Sequence, residues 1–293
     1  MLRGLQFLLY RLRLFLWLVT HSSVTASVGK KWARRIADVC LSSDNAFIPR
    51  TADAGCVQDG LQVMHNGMPI RQGCYYGEGI ELMLKINRGV HEPQEERVFG
   101  ELMKVLPEGA VMMELGAYWA FYSMWFQRSV ANARSILVEA SSENLEAGRS
   151  NFAINEMTGS FIHGAVSNKP GTADDGTRLV TVDELMTEFK LDHLDVLHSD
   201  IQGHEFEMLE GAVMTLGRQK VDHVFISTHV DSHLHRRCEE QLKEWGYEVL
   251  HSIDLDETFS DDGLIVASRP NAAKLPTMRL SRRYRKFSQR HAS

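Results

Sequence analysis

The sequence predicts a doubly wound α/β domain with a mostly parallel, seven-stranded sheet. Two observations between Gly109 and Ser268 predict it. Seven short apolar segments alternate with segments of helical length and periodicity, and the last two apolar segments follow each other with no helix between them. Such alternation is typical of right-handed crossovers between strands whose sheet is covered by helices on both faces. The strands are expected in AVMMEL, SILVEA, SFIHGAV, DVLHSD, HVFIST, YEVLHSI and GLIVAS.

Two further elements are predicted before the sheet. In LQVMHNGMPIRQG, the Asn66-Gly67 pair lies between alternating apolar residues, which is the pattern of a tight β-hairpin. In HEPQEERVFGELMKVL, Pro93 stands in the first turn of a helix, and apolar residues recur at helical spacing after it. Residues 42–60 have the composition of a linker. The sequence therefore predicts a small β element and a leading helix ahead of the main domain.

Charge is distributed unevenly along the 293 residues. Residues 1–37 carry seven basic and no acidic side chains, and residues 269–293 carry eight basic and no acidic ones. The 17 basic and 38 acidic residues between them make the core acidic, so no nucleic-acid partner is expected for it. Only the termini could contact an anionic partner, and solvated tails are the alternative. The four cysteines contain no CxxC pair and indicate neither a zinc site nor a disulfide framework.

The amino-terminal segment is rich in leucine and phenylalanine but is interrupted by arginine. Arg11 and Arg13 keep its apolar run well below the roughly 20 residues that a membrane-spanning helix needs. Three interpretations stay open: an interfacial helix on a membrane surface through residues 1–20, an organelle transit peptide, and a signal peptide cleaved after Ala26. The expected localisation is intracellular, with membrane association through this segment as one alternative.

The carboxyl ends of the first two strands indicate a nucleoside site. In a doubly wound sheet, ligands bind beyond these ends, where the strand order reverses. The first strand leads into Gly116, where the missing Cβ lets the backbone approach a ligand closely. The second ends at Glu139, whose carboxylate can accept hydrogen bonds from both hydroxyls of a ribose. The sequence has no GxGxxG or GxxxxGK[ST] pattern, which disfavours NAD and ATP and favours a nucleoside without phosphates.

Residues 90–268 resemble the FkbM-like family of S-adenosylmethionine-dependent methyltransferases. The resemblance rests on ELGAYWAFYS, on ILVEASSENLEAGRSNFAIN, and on VTVDELMTEFKLDHLDVLHSDIQGHEFEMLEGA, which is similar to the DxEGxE region of the family. It implies the Rossmann-like fold of class I methyltransferases, S-adenosyl-L-methionine as the methyl donor, and O-methylation of a sugar or another small hydroxyl compound. The cofactor-binding residues that the resemblance implies are Glu114, Gly116, Ala117, Tyr118, Glu139 and Asp200.

The sequence departs from the family pattern at four positions. The first loop has Glu114 where aspartate is usual and Ala120 where many members have glycine. The DxEGxE region has Gln202 where glutamate is common, and His204 where the residue is usually small. We interpret the first pair as a modified cofactor pocket and the second pair as a difference in substrate chemistry.

A hydroxyl acceptor needs a base or a metal, because it is a poor nucleophile unaided. The predicted catalytic residues are His229 and Asp200: an imidazole titrates near neutrality and could take the proton of the acceptor, and Asp200 could orient substrate or cofactor. Tyr76 and Glu95 are predicted to bind substrate, because aromatic and acidic side chains suit a polyhydroxylated acceptor. His204, on the same edge of the sheet, is predicted to bind substrate as well.

The segment HVDSHLH, residues 229–235, offers imidazole and carboxylate ligands for a divalent metal. His233 and His235 point to opposite faces of a strand and are two residues apart on a helix, so they converge only in a loop. A divalent metal is therefore compatible with the sequence, but no metal site is predicted.

These inferences divide the chain into four parts: a basic apolar segment at 1–37, a linker with the β-hairpin at 38–90, the methyltransferase domain at 91–268 and a basic tail at 269–293. The expected partner is a small-molecule or glycan acceptor. A non-catalytic binding protein of the same fold, tethered through its basic ends, is the alternative function. A dehydrogenase would need a dinucleotide site, which the single-glycine first loop disfavours.

Overall fold

The computed structural model describes residues 2–283. Its first two elements are helices. α1 (Leu2–Thr20) and α2 (Ser22–Leu41) pack against each other, and α2 is kinked at Gly29, where φ is 77°. Beyond the kink, α2 contributes fully buried apolar side chains to the main core: Ala33, Ile36 and Val39. No helix among residues 2–283 is long and apolar enough to cross a membrane.

A small sheet and two more helices lead to the central sheet. β1 (Val57–Gln58), β2 (Leu61–Val63) and β3 (Pro69–Arg71) form an antiparallel sheet, in which the predicted hairpin turns at Gly67 with φ of 82°. A 3-10 helix (Ser43–Phe47) and α3 (Glu78–Ile86) were not predicted. α4 (Pro93–Leu102) is the predicted leading helix, and Pro93 occupies its first turn. The hairpin and the leading helix are thus confirmed.

The apolar segments between residues 111 and 268 form strands. In chain order they are β4 (Val111–Leu115), β5 (Arg134–Glu139), β6 (Ser160–His163), β7 (Ala165–Val166), β8 (Gly171–Thr172), β9 (Arg178–Val180), β10 (Leu194–Asp200), β11 (Val221–Thr228), β12 (Glu248–Ile253) and β13 (Gly263–Ser268). Seven of them pair in the order β12-β13-β11-β10-β4-β5-β6, which confirms the predicted sheet. The predicted strand SFIHGAV divides at Gly164 into β6 and β7, and β7 joins β8 and β9 in a separate small sheet. That sheet was not predicted, because strands of two or three residues carry no alternating pattern.

The strand order creates a crevice at one edge of the sheet. β4 pairs in parallel with β5 on one side and with β10 on the other, and β13 is antiparallel to both β11 and β12. The chain runs outward from β4 to β6 and then crosses back to β10, so the strand order reverses between β4 and β10. The crevice outside the carboxyl ends of these two strands is where doubly wound sheets bind ligands.

Six helices lie between β4 and β12 along the chain: α5 (Phe121–Ser129), α6 (Ser142–Ile154), α7 (Val182–Glu188), α8 (Glu205–Glu210), α9 (Val213–Leu216) and α10 (Ser232–Glu244). Side-chain oxygens of Ser141, Thr181 and Asp231 accept hydrogen bonds from the first backbone N–H groups of α6, α7 and α10. One helix was expected where α8 and α9 are separate. They divide at Gly211, where a Cβ would lie 2.4 Å from the Ser167 carbonyl oxygen.

After β13, the chain returns to the amino-terminal helices. Arg283 is fully buried, and its guanidinium lies 2.6 Å from Asp38 of α2 and 2.5 Å from Asp261. Tyr10 of α1 donates a hydrogen bond to the same Asp38. The predicted basic tail is therefore held against the body as far as Arg283. Its remaining residues, 284–293, lie outside the described part.

Candidate active site

A cavity of about 350 Å³ opens at the carboxyl ends of β4, β5 and β10. The loop after β4 forms one wall, and the end of β5 with α6 forms a second. Tyr75, His91 and Glu92, from outside the central sheet, line its inner end, and the exposed Tyr76 lies at its mouth. The cavity therefore lies in the crevice where the strand order reverses.

Gly116 allows two strand ends to approach each other closely. Its φ is 77°, and a Cβ would lie 1.8 Å from the carbonyl oxygen of Asp200 at the end of β10. The loop continues with positive φ at Tyr118 (41°) and at Ala120 (63°), a backbone region that favours glycine. Gly148 of α6 packs on this loop, since a Cβ there would lie 2.7 Å from the Tyr118 carbonyl oxygen. The loop is thus fixed from two sides.

Replacing Gly116 with alanine is expected to lower the free energy of unfolding by about 4 kcal/mol, because it adds a backbone clash to the cost of positive φ. Gly109 is a matched control, because its φ is 76° and a Cβ added there would meet no atom within 4 Å. Gly109→Ala should cost only about 1 kcal/mol. Urea unfolding of both variants measures the difference, and equal losses would contradict the contact with Asp200.

Glu139 points into the cavity from the end of β5. Its carboxylate accepts hydrogen bonds from the backbone N–H of Tyr118 at 3.1 Å and of Ser141 at 2.8 Å. Each contact uses a different oxygen, and a carboxylate has about four lone-pair positions, so each oxygen can accept a further hydrogen bond. Glu139 is therefore oriented by the loop after β4 and can still bind two hydroxyl groups.

His91 and Glu92, immediately before α4, form the inner end of the cavity. His91 lies 3.2 Å from Glu92 and 2.7 Å from Glu96, and Tyr122 donates a hydrogen bond to Glu92 at 2.8 Å. Burial alone would lower the pKa of His91, but the two carboxylates raise it to about 10. Burial alone would raise the pKa of Glu92, but His91 and Tyr122 lower it to about 2. A buried ion pair therefore faces the cavity at neutral pH.

Glu114 and His198 are opposite each other on the paired strands β4 and β10, and both line the cavity. Burial raises the pKa of Glu114 to about 7, against the opposing effect of His198. His198 lies 2.6 Å from Glu95, which also accepts a hydrogen bond from Ser227 at 2.8 Å. Burial would lower the pKa of His198, but Glu95 raises it. Glu95 thus lies behind His198 as seen from the cavity, which His198 lines and Glu95 does not.

His229 follows β11 and is surrounded by carboxylates. Its Nδ1 lies 2.7 Å from Glu205, and its Nε2 lies 3.3 Å from both Asp200 and Asp262. Burial would lower the pKa of His229, but hydrogen bonds to Asp262 and Glu205 and the charge of Asp200 raise it to about 11. Burial, reinforced by the charges of Glu92 and Asp262, raises the pKa of Asp200 to about 7. His229 is therefore an imidazolium at neutral pH, where Asp200 titrates.

The part of the chain that contains Asp200 and His229 has a recognisable domain sequence. Residues 171–249 match the methyltransferase FkbM domain. This match confirms the resemblance inferred from the sequence, and it includes β10, α8 and β11. The loop after β4 and Glu139 lie ahead of the matched range. No curated protein matches the chain in sequence.

Solved structures similar to this chain are remote from it in sequence. TrmK of M. capricolum, in complex with S-adenosyl-homocysteine, is 10% identical, with a TM-score of 0.42 over 60% of this chain and 68% of that chain. Precorrin-6y C5,15-methyltransferase from Geobacter metallireducens is 16% identical, with a TM-score of 0.41 over 59% and 88%. The ribosomal protein L11 methylase from Lactobacillus delbrueckii is 12% identical, with a TM-score of 0.42 over 60% and 78%.

Three of the four positions that depart from the family pattern lie beside the cavity in distinct surroundings. Glu114 is buried against α5, where it accepts a hydrogen bond from the backbone N–H of Ser123 at 3.1 Å. Ala120 has a positive φ of 63°, the backbone region that favours the glycine found in many family members. The amide nitrogen of Gln202 donates a hydrogen bond to Asp200 at 2.8 Å and lies 2.8 Å from Nε2 of His229. A glutamate at this position would add another carboxylate to those around the imidazole.

The residues predicted to bind substrate occupy different places. Tyr76 and His204 line the cavity, and the Tyr76 N–H donates to the Tyr118 hydroxyl at 3.2 Å. Glu95, behind His198, does not line it. Four residues that line the cavity were not predicted from the sequence: His91, Glu92, Tyr122 and His198. Two signals could have found some of them, namely the His-Glu pair before Pro93 and a histidine inside an apolar strand.

The histidines of the segment 229–235 do not come together. His233 is exposed at the start of α10, and His235 is buried between the hydroxyls of Thr228 and Ser252. Among the described residues, one group of three could hold a metal ion: His193, Asp195 and Asp222. It lies at the starts of β10 and β11, away from the cavity, and Asp222 is already paired with Arg269.

Proposed function

We propose that the protein is an S-adenosyl-L-methionine-dependent O-methyltransferase that acts on a sugar or another small hydroxyl compound. One observation carries the proposal: a single cavity joins Glu139 at the end of β5 to Asp200 at the end of β10. These are the positions that the sequence resemblance assigns to the cofactor, and the FkbM match contains one of them.

The outer part of the cavity fits the cofactor. Glu139 would accept hydrogen bonds from the ribose hydroxyls, and the apolar side chains of Val166 and Leu179 would lie against the adenine. Burial raises the pKa of Glu114 to about 7, and the ammonium group of the methionine end, placed beside it, would favour its carboxylate form. The rest of that end would lie along the loop after β4: Gly116, Ala117 and Tyr118. When bound, S-adenosylmethionine supplies a methyl group that is already activated by its sulfonium.

The inner part of the cavity suits a hydroxyl compound. Tyr75 stacks on Trp119 with ring centroids 4.1 Å apart, which gives this end an aromatic wall. His91, Glu92 and Tyr122 present charged and hydroxyl groups that can hydrogen-bond to a polyhydroxylated molecule. Tyr76 and His204 would contact the acceptor at the mouth, and Glu95 would act on it through His198.

Asp200 is the residue we assign as proton acceptor. Its pKa of about 7 matches the value that serves a general base best near neutral pH. His229 has a pKa of about 11 and already carries a proton, so its role would be to hold Asp200 in place by charge. These roles reverse the sequence-based hypothesis, in which His229 took the proton and Asp200 oriented the reactants.

Calorimetric titration with S-adenosylmethionine and S-adenosyl-homocysteine tests the cofactor site. The full chain is the protein to use, because α2 and Arg283 are buried in the body. We expect micromolar binding and an affinity loss of about 100-fold in Glu139→Ala, since two hydrogen bonds to a charged group are removed. Glu143→Ala, an exposed carboxylate on neighbouring α6, is the control and should bind like the wild type.

Calorimetry combined with a methyl-transfer assay separates the alternatives. No binding by the folded chain would overturn the proposal. Binding without methyl transfer to any member of a panel of free sugars and inositols would favour the non-catalytic binding protein. Methylation of a panel member, detected as a mass increase of one methyl group, would support the enzyme and identify the acceptor for the experiments below.

A further inference from the structure

α1 exposes an apolar stripe that the body of the protein does not cover. The stripe consists of six side chains, each with 51–65% of its surface exposed: Leu8, Leu9, Leu12, Phe15, Leu16 and Val19. They are six of the thirteen exposed large apolar side chains in the part of the chain described in side-chain detail. At about 3.6 residues per turn, they share one continuous side of the helix.

Basic side chains border the stripe. With the same helical periodicity, Arg11 and Arg13 lie on its two opposite edges. Lys30, Lys31 and Arg34 are exposed on the adjacent helix α2. The first 37 residues contain no acidic side chain, so α1 and the part of α2 up to residue 37 contribute only positive charge to this surface. An apolar strip between cations is complementary to a surface that is apolar inside and anionic at its border.

The orientation of the stripe is fixed relative to the body. On the opposite side of α1, Trp17 and Leu18 pack against the main core. The Tyr10 hydroxyl donates to Asp38, and its ring lies edge-on to Phe259, with centroids 6.4 Å apart. Because these contacts attach α1 to the domain, a surface that binds the stripe also holds the domain in one orientation.

We propose that the stripe docks the protein on an anionic lipid bilayer, with α1 lying in the plane of the membrane surface. The apolar side chains enter the boundary between headgroups and acyl chains, and Arg11 and Arg13 stay at the level of the lipid phosphates. A second copy of the chain fits this surface less well, because a symmetric contact would bring the same basic residues together. The docking does not depend on the proposed catalytic function.

Cosedimentation of the full chain with lipid vesicles tests the proposal. We expect binding to phosphatidylcholine vesicles containing about one quarter phosphatidylserine to be at least about tenfold tighter than to phosphatidylcholine alone, and to weaken as salt rises. Leu12→Glu combined with Phe15→Glu should weaken it at least about tenfold, because charges cannot enter the acyl boundary. The matched control is Val213→Glu with Met214→Glu, two side chains on α9 that are each 49% exposed and should not affect binding.

Three results would overturn the proposal. The first is no binding to the anionic vesicles, and the second is an equal loss of binding in the α9 control. The third is self-association that the stripe variant abolishes, with no vesicle binding, which would assign the stripe to a second copy of the chain. Calorimetry with S-adenosylmethionine on the stripe variant reports on the catalytic proposal separately, and its outcome is expected to match the wild type.

Discussion

Asp200→Asn is expected to slow methyl transfer by about 1000-fold while changing cofactor affinity only a few-fold. Asparagine keeps the size of the side chain and one carbonyl oxygen for contacts at the end of β10, but it cannot accept a proton. Initial rates with the acceptor from the sugar and inositol panel, together with calorimetry, measure the two effects separately. Asp231→Asn is the control, because Asp231 lies at the same edge of the sheet and asparagine also caps helices well.

The rate should also depend on pH through Asp200. A base must be deprotonated to accept a proton, so the wild-type rate is expected to fall about tenfold per pH unit below the pKa of about 7 and to level off above it. Asp200→Asn should lose this dependence. A wild-type profile that stays flat through neutrality, or an asparagine variant that keeps the wild-type rate, would assign the proton to another group.

Arg283→Ala is expected to lower the free energy of unfolding by about 3–5 kcal/mol. The substitution leaves the buried carboxylate of Asp38 without its cation and opens a cavity where a fully buried side chain was. Arg282 precedes Arg283 in the chain and forms a partly exposed ion pair with Glu257. Arg282→Ala removes that pair and should lower the free energy of unfolding by under about 1 kcal/mol.

Urea unfolding followed by circular dichroism measures both variants, and a shifted midpoint with an unchanged slope reports a change in stability alone. Arg283→Lys provides a further variant that keeps the charge but not the two-armed geometry, and it should fall between the wild type and Arg283→Ala. Equally small losses at 282 and 283 would show that the buried pair contributes little.

The sheet and the outer half of the site were predictable because their signals are local. Each central strand is a short apolar run, and the rule that ligands bind where the strand order reverses selects the ends of β4, β5 and β10. Gly116 and Glu139 were predicted in this way and Asp200 from the family resemblance, and all three line the same cavity. Their physical roles were less accessible: the missing Cβ of Gly116 accommodates the backbone of Asp200, a contact between residues 84 positions apart along the chain.

The inner half of the site depends on contacts that no local pattern encodes. His91 and Glu92 precede α4 and look like ordinary helix-start residues until α4 packs against the central sheet. His198 interrupts an apolar strand, but its partner Glu95 lies 103 residues earlier. Arg283 belongs to a segment whose composition predicts solvent exposure. It is nevertheless buried, because it forms ion pairs with Asp38 and Asp261 elsewhere in the chain.

The pairing of Asp38 with Arg283 also has a consequence for biosynthesis. The two residues are 245 positions apart along the chain. Because a ribosome adds about 5–20 residues per second, Arg283 is synthesised roughly 12–50 s after Asp38. During that interval α2 can pair with α1 but cannot complete its buried contacts. Nascent chains shorter than about 283 residues should therefore be digested by protease within α2, and longer released chains should resist.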